Sequence, residues 1–319
     1  MITHPSLTSL STDFSRDDLF LVVFCLVDDW MKVRFGSSNA PRKRRGPRDD
    51  EFSDAEVLTV LLVGELCRCP RERAWLRQVR ASYRSLFPAL PENSRFCRRA
   101  QQARHLLRTL REAILFWADA DLEPIRILDS FPLPLCACYR IYQSNQPVEG
   151  SAFGRCASKR SFFFGLRPHL LITASGFIVD LILAPGNCAD VTALELYLDE
   201  CLEYDRPVAG QTWLMDKGYR SQRLTRLARE RLGLNLVPRQ QEPKGEKPTG
   251  WQLQLDALRR PIEGVVSMLT EGFSIEHILA TTGIGLYRRA QAKATAFTLA
   301  RYFNRVLELP ALDIARYAV

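Results

Sequence analysis

The hydrophobic pattern of the chain changes near Pro124, and this change limits the folds that are open to it. Before Pro124, apolar side chains recur at the three- and four-residue spacing of amphipathic helices, as in the helix expected from about residue 94 to 118. After it, short apolar runs are separated by turn residues, a pattern typical of β-strands. The sequence therefore predicts an all-helical N-terminal region followed by an α/β region.

Capping boxes mark the start of two helices in the first region. Ser15-Arg-Asp-Asp18 and Ser53-Asp-Ala-Glu56 each place a serine three residues before an acid, so that side chain and backbone can bond reciprocally. The expected helices run to about residues 34 and 66, and further helix is expected at 71–86. Residues 36–48, rich in Gly, Pro, Ser and basic side chains, predict a loop.

The second region is expected to alternate strands with helices. The expected strands are 125–135, 162–173, 177–183, 212–215 and 234–237, and the second and third are expected to form a hairpin that turns at Ala174-Ser-Gly176. The expected helices are 191–203 with Asp190 as its N-cap, 219–231, one carrying Glu263, and 287–308, with a loop at 238–250. This order matches a ribonuclease-H-like mixed sheet with helices on both faces. The expected division is a helical region at 1–122, an α/β domain at 123–310 and a C-terminal tail at 311–319.

Positive charge is concentrated in one stretch of the helical region. Residues 66–111 contain twelve arginines, no lysine and two acids, Glu72 and Glu92, while the whole chain carries a formal charge of +8. The planar guanidinium fork of arginine suits phosphate, so this stretch favours a polyanionic partner such as DNA. A solvated basic surface is the alternative reading.

Other features argue against several protein classes. The nine cysteines are an odd number and several lie in apolar runs, which predicts reduced thiols in a cytoplasmic protein. The pairs Cys67/Cys69 and Cys136/Cys138 lack zinc spacing and have no histidine nearby. The longest apolar run, 19–27, is too short for a membrane span, and neither a secretory signal nor a nucleotide-binding glycine loop is expected.

Three acids stand where a metal site could be built. Asp129 and Asp216 each follow a predicted apolar strand, and Glu263 lies on a predicted helix at the border of its packed stripe. Carboxylates are ligands that Mg²⁺ prefers, and two such ions about 3.5–4 Å apart serve phosphoryl transfer. The residues alone do not single out these three among 36 acids. Asp180 is a rival ligand, and an aspartate at a strand end is often only an edge charge.

Several stretches resemble the DDE transposases of bacterial insertion sequences, specifically the insertion sequence 982 family. Around the three acids they are Asp129-Ser-Phe-Pro-Leu-Pro134, Asp216-Lys-Gly-Tyr219 and Arg260-Pro-Ile-Glu263. Leu90-Pro-Glu-Asn-Ser-Arg-Phe-Cys-Arg-Arg99 and Pro185-Gly-Asn-Cys-Ala-Asp190 are similar to further blocks of that family. The resemblance covers roughly residues 50 to 300, and Asp-Lys-Gly-Tyr is its most specific motif.

The resemblance implies a substrate, a cofactor and a set of site residues, with 1–122 as a DNA-binding and dimerisation region and 123–310 as the catalytic domain. It implies that Asp129, Asp216 and Glu263 are catalytic and hold two Mg²⁺ ions, with Mn²⁺ as a substitute. It also implies double-stranded DNA as partner, both terminal inverted repeats and target, and a homodimer that brings two ends together in the cytoplasm at the nucleoid. Expected DNA contacts come from Lys217, Arg260, Arg95, Arg98 and Arg99. Lys217 could instead offset acid repulsion, and Arg260 could pair with Glu263.

Neighbouring residues have expected roles that are mainly structural. Ser130 should point to the strand face opposite Asp129, His169 should be a satisfied core histidine, and Tyr219 should pack under the site rather than stack on a base. Pro261 should either begin the Glu263 helix as its first residue or kink it. Two alternative functions remain open: a metal-dependent nuclease or resolvase that cuts without joining, and a DNA-binding protein with a retired active site.

Overall fold

The computed structural model describes residues 15–36, 52–136, 150–156, 161–240, 249–280 and 282–318. The chain forms two compact units: unit 1 is Met1–Ala118 with Leu269–Val319, and unit 2 is Asp119–Met268. This division differs from the expected one at 122 and 310, since the last helix belongs to unit 1. Most of the predicted loop 36–48, most of the predicted loop 238–250, and Cys138 lie outside the described residues.

The described helices and strands are as follows. The helices are α1 Arg16–Phe35, α2 Asp54–Leu66, α3 Glu72–Ser82, α4 Asn93–Gln102, α5 Arg104–Trp117, α6 Asp190–Glu203, α7 Gln222–Leu232, α8 Gly250–Ser267 and α9 Gly283–Val306. The strands are β1 Ile125–Ser130, β2 Leu133–Cys136, β3 Ala152–Cys156, β4 Ser161–Thr173, β5 Ile178–Pro185, β6 Thr212–Met215 and β7 Asn235–Pro238. None of the described helices is long and apolar enough to cross a membrane.

The two capped helix starts predicted for the N-terminal region are confirmed, but one predicted helix is divided. Ser15 and Ser53 both form complete capping boxes, with Asp18 and Glu56 as the returning acids. The helix expected at 94–118 is broken at Ala103, whose ψ of 1° ends α4 and starts α5. A ψ near zero lies far from the helical value, so the axis changes direction there.

Helix α9 completes the core of unit 1 and is buried over most of its length, polar residues included. It packs against α2 and α5. Lys293 Nζ lies 2.5 Å from Glu65 Oε2, and Arg111 donates to Gln291 Oε1 at 2.8 Å. Because a buried charge is costly without a partner, these pairs hold α9 to α2 and α5. They explain why residues after 268 join unit 1.

The sheet of unit 2 is mixed and is organised around the long strand β4. One edge of β4 pairs antiparallel with β1 and β2, and the other edge pairs antiparallel with β5 and β3. Strand β1 pairs parallel with β6, and β6 with β7. The predicted hairpin of β4 and β5 is confirmed. The expected strand 125–135 is divided: Phe131 still donates to the Pro168 carbonyl, but neither Pro168 nor Pro132 has an N–H to donate.

Helices cover both faces of this sheet. Leu128, Trp213 and Met215 lie in one buried cluster with residues of α6 and α7. Their neighbour Leu214 faces the other way and lines a cavity together with residues of α8, such as Leu255. The alternation of side chains along a strand thus gives β6 two apolar faces, each covered by helix.

Helix α8 begins much earlier than Pro261. Thr249 caps it in a capping box with Gln252, and Pro261 lies in the helix interior. The prediction that Pro261 is the first helical residue is therefore wrong. The helix continues to Ser267 although proline supplies no backbone donor. The apolar side chains of Ile262 and Val265 are buried and anchor this second half of α8.

Candidate active site

Asp129 and Asp216 stand side by side at the ends of adjacent parallel strands. The register pairs Leu128 with Met215, and each aspartate is the next residue along its strand. Asp216 then leads into a short 3-10 turn, Lys217–Tyr219. Buried strands hold both backbones, while the side chains keep 33% and 38% exposure. The two carboxylates therefore extend from rigid backbone and are accessible to a ligand.

The guanidinium of Arg259 lies between these two carboxylates. Its Nη2 is 3.6 Å from Asp129 Oδ2 and its Nη1 is 3.6 Å from Asp216 Oδ1. One cation thus serves both acids, which shows that they converge. The motif reading pointed to Arg260, which is exposed. Sequence reasoning missed Arg259, although it lies four residues before Glu263, a spacing that puts both residues on one side of a helix.

The environment of Asp129 opposes its ionisation. Burial raises the pKa of this carboxyl to about 6, and the charges of Asp216 and Asp190 add to the rise. The Ser130 N–H, which donates to Asp129 Oδ1 at 2.8 Å, and the Arg259 charge both lower the pKa. The rise prevails, mainly because burial disfavours the charged carboxylate. A group of this kind gains from an additional cation.

Glu263 is not brought to the two aspartates. It is exposed on α8, one turn beyond Arg259. Within the described ranges, no three His, Cys, Asp or Glu side chains are grouped closely enough to hold a metal ion. The structure therefore brings together two members of the predicted trio and places the third farther along the helix that carries Arg259.

Asp190 has a different role from the predicted one. It is the first residue of α6, the N-cap is Ala189, and no side chain caps this helix. The prediction of Asp190 as N-cap is therefore wrong. Its Oδ1 instead accepts a hydrogen bond from the Ser130 hydroxyl at 3.0 Å, and Arg167 Nη1 lies 4.0 Å away. Burial raises the pKa of the Asp190 carboxyl above its ordinary value, although the Ser130 hydroxyl and the Arg167 charge lower it.

His169 and Tyr219 form a buried pair beneath the site. The Tyr219 hydroxyl lies 2.8 Å from His169 Nδ1, and both side chains are buried. Burial lowers the pKa of His169 to about 3, so the ring is neutral. The packing role of Tyr219 is confirmed. His169 lies in the core as predicted, but it is not fully satisfied, because its Nε2 is buried and has no hydrogen-bond partner among the described residues. The rival ligand Asp180 is buried elsewhere, with Arg206 Nη1 3.9 Å from its Oδ2.

The predicted DNA-contacting residues divide into two groups. Lys217, Arg260, Arg95 and Arg98 have exposed side chains. Arg99 is buried, donates to the Phe52 carbonyl and lies 3.0 Å from Asp54 Oδ1. Arg99 therefore contributes to the packing of unit 1, and its guanidinium is not presented to solvent.

Two solved structures and one family model are similar to this chain. A piggyBac transposase synaptic complex with hairpin DNA matches with a TM-score of 0.42 and 11% identity, over 96% of this chain and 79% of that one. The Mos1 transposase paired-end complex with the left transposon end gives 0.23 and 15%, over 88% and 85%. Both scores are too low to carry an argument, and no curated protein sequence matches. The model of the transposase DDE domain matches residues 119–281, just over half of the chain and including Asp129, Asp216 and Glu263. The chain therefore belongs to the family of transposases with a DDE domain.

Proposed function

We propose that the chain is a DDE transposase that binds terminal inverted repeats and catalyses Mg²⁺-dependent DNA cleavage and strand transfer at Asp129, Asp216 and Glu263. The observation that carries this proposal is the convergence of Asp129 and Asp216 on one cation, Arg259, at the ends of adjacent parallel strands. The sheet order β5-β4-β1-β6-β7, antiparallel in its first three strands and parallel after that, supports a ribonuclease-H-like domain.

The residues present fit a divalent cation in two respects. Two carboxylates meet at one point beside Arg259, and burial together with the charges of Asp216 and Asp190 raises the pKa of Asp129, so that a further cation would favour its charged form. When bound, Mg²⁺ ions would stabilise the charge on the attacking and leaving oxygens of a phosphoryl transfer. Asp129 and Asp216 would hold them, and we propose that α8 supplies Glu263 as the third ligand.

The chain's own groups orient this site. The Ser130 N–H holds one oxygen of Asp129, which leaves Oδ2 turned toward Arg259. Strands β1 and β6 fix the separation of the two acids, because their backbones are bonded to each other in register. Arg259 partly neutralises the two carboxylates, and its guanidinium could pair instead with a DNA phosphate that enters beside them.

The exposed cations are the proposed contacts with the DNA backbone. Lys217 follows Asp216 directly and Arg260 is close to Glu263, so both would meet phosphates near the reacting bond. Arg95 and Arg98 lie on α4 in unit 1 and would contribute sequence-independent affinity. Arg99 is left out because it is buried. Joining two element ends to a target favours a homodimer acting at the nucleoid.

The test uses double-stranded oligonucleotides that carry the DNA flanking the gene, a labelled target plasmid, and Mg²⁺. The wild-type chain should cut at the ends and join them to the target, and Asp129→Asn and Asp216→Asn should abolish both steps while DNA binding persists. Asp199→Asn, an exposed change on α6, is the matched control. Glu263→Gln tests the third ligand, and full activity in that variant would remove Glu263 from the site.

The same assay separates the alternatives. Cutting without joining would identify a nuclease or resolvase. Binding without cutting in either Mg²⁺ or Mn²⁺ would identify a DNA-binding protein whose site is retired. Either result would refute the transposase proposal as stated.

A further inference from the structure

We propose that Asp190 is a positioning residue that fixes the ends of β1 and β6, and with them Asp129 and Asp216, from the α6 side of the sheet. The importance of the two aspartates rests on the proposed function. The contacts of Asp190 are features of the chain itself. These contacts are made with the segments that carry Asp129 and Asp216, and Arg259 takes no part in them.

The first contact is with Ser130, the residue after Asp129. The Ser130 hydroxyl donates to Asp190 Oδ1 at 3.0 Å, and the Ser130 N–H donates to Asp129 Oδ1 at 2.8 Å. Successive side chains of a strand point to opposite faces, so Asp129 turns toward Arg259 of α8 while Ser130 turns toward α6. Ser130 therefore links Asp190 to the Asp129 carboxylate, with one hydrogen bond to each.

The second contact is with Gly218, two residues after Asp216. A Cβ at position 218 would lie 2.1 Å from Asp190 Oδ2 and 3.1 Å from its carboxyl carbon. The carboxylate thus packs directly against the backbone of the turn that follows Asp216. Gly218 does not have a positive φ, so its requirement is for space rather than for a special backbone conformation. This accounts for the glycine in Asp216-Lys-Gly-Tyr219.

The surroundings hold the Asp190 side chain in this one orientation. It is 21% exposed, with Arg167 Nη1 4.0 Å and His169 Nδ1 3.9 Å from Oδ1. His169 is neutral, so Arg167 is the nearby cation among these partners. Asp190 also lies in the first turn of α6, where the helix dipole favours a negative group. The Ser130 hydroxyl, the Gly218 backbone and Arg167 thus hold the carboxylate in place.

Two substitutions test the link in different ways. Asp190→Asn retains an oxygen that can accept from Ser130, whereas Asp190→Ala removes it. Gly218→Ala leaves every polar group unchanged and displaces the carboxylate by its new methyl group. Positioning predicts that Asp190→Ala and Gly218→Ala are damaging and that Asp190→Asn is mild. A direct role for the charge would make Asn and Ala equally damaging.

The first measurement is hydrogen exchange in the full chain, read on peptides that span 126–131 and 213–220. Asp190→Ala and Gly218→Ala should speed exchange there at least tenfold, while Asp190→Asn stays within about threefold of wild type. Exchange in unit 1 should not change. Unchanged exchange at both strand ends in Asp190→Ala would overturn the positioning role, whether or not the protein proves to be a transposase.

The second measurement is Mn²⁺ binding by electron paramagnetic resonance without DNA, followed by kcat and KM for cleavage. Loss of a group that orients a metal ligand commonly costs 10–100-fold in affinity or activity. Asp190→Ala should therefore weaken Mn²⁺ binding and lower kcat by that factor, with KM for DNA within about twofold of wild type. Ser130→Ala combined with Asp190→Ala should cost no more than the worse single change, because both break one link.

The outcomes of the two proposals are distinct. Wild-type chain that neither binds Mn²⁺ nor cuts would refute the proposed function, and the exchange measurement would still judge Asp190. Loss of Mn²⁺ binding and of kcat in Asp190→Asn, equal to that in Asp190→Ala, would overturn positioning in favour of direct action of the carboxylate.

Discussion

Replacing Asp129 by asparagine should stabilise the protein above pH 6. Burial raises the pKa of the Asp129 carboxyl from the ordinary 3.8 to about 6. At 1.36 kcal/mol for each pKa unit, the charged form of Asp129 destabilises the folded state by about 3 kcal/mol. The side chain is 33% exposed, so water screens part of the cost, and we expect a gain of about 1–2 kcal/mol from Asp129→Asn.

The pH dependence has a definite sign. Between pH 3.8 and about 6 the folded protein holds the Asp129 proton that the unfolded chain has lost. Stability therefore falls as pH rises through this window, and the full cost is present above it. Asp129→Asn lacks this dependence, so its advantage should be near zero at pH 4 and reach its maximum near pH 7.

Urea unfolding followed by circular dichroism at pH 4, 6 and 8 measures this difference, with Asp199→Asn as the exposed control. Added Mg²⁺ should stabilise the wild type, by about 2.7 kcal/mol at a hundredfold excess over Kd, and should stabilise the variant less. An equal advantage at pH 4 and pH 8, or no advantage at pH 8, would refute the assignment of a raised Asp129 pKa.

Three further perturbations probe separate features. Arg259→Gln removes a charge that lowers the pKa of Asp129, so the pH window of the stability change should move upward in the same urea series. Pro261→Ala restores a backbone donor inside α8 and should stabilise the protein by about 1–3 kcal/mol, seen as a higher urea midpoint. Glu65→Ala leaves Lys293 buried without its partner and should cost about 3–5 kcal/mol by the same measurement, whereas Glu112→Ala on the exposed side of α5 should cost under 1 kcal/mol.

Local signals in the sequence predicted most of the elements. The capping boxes at Ser15 and Ser53 and the turn between β4 and β5 are confirmed, because each depends on residues close together in the chain. The buried strand before Asp216 follows from a similarly short pattern. The helix expected from residue 219 begins instead at Gln222, after a 3-10 turn at Lys217–Tyr219 and with Ser221 as its N-cap. Strand β3 was not predicted, since Ala-Phe-Gly-Arg-Cys has little strand character and gains its pairing from β4.

The remaining differences depend on distant residues. Nothing near Asp190 in the sequence shows that its side chain would accept a hydrogen bond from Ser130, sixty residues earlier. The choice between Arg259 and Arg260 is a question of helical phase, which only the packing of α8 decides. The position of α9 depends on pairs such as Arg111 with Gln291, which are 180 residues apart.

The way α9 completes unit 1 has a consequence for synthesis of the chain. The helical unit is built from two segments, and all of unit 2 is translated between them. Until residue 306 has emerged, Glu65 lacks Lys293, Arg111 lacks Gln291, and the apolar faces of α2 and α5 lack their cover. The α/β unit is thus complete while the arginine-rich unit is still waiting for its last helix. A fragment that ends at residue 118 should be poorly folded and prone to aggregate, whereas the same residues joined to 269–319 by a short linker should form a stable unit.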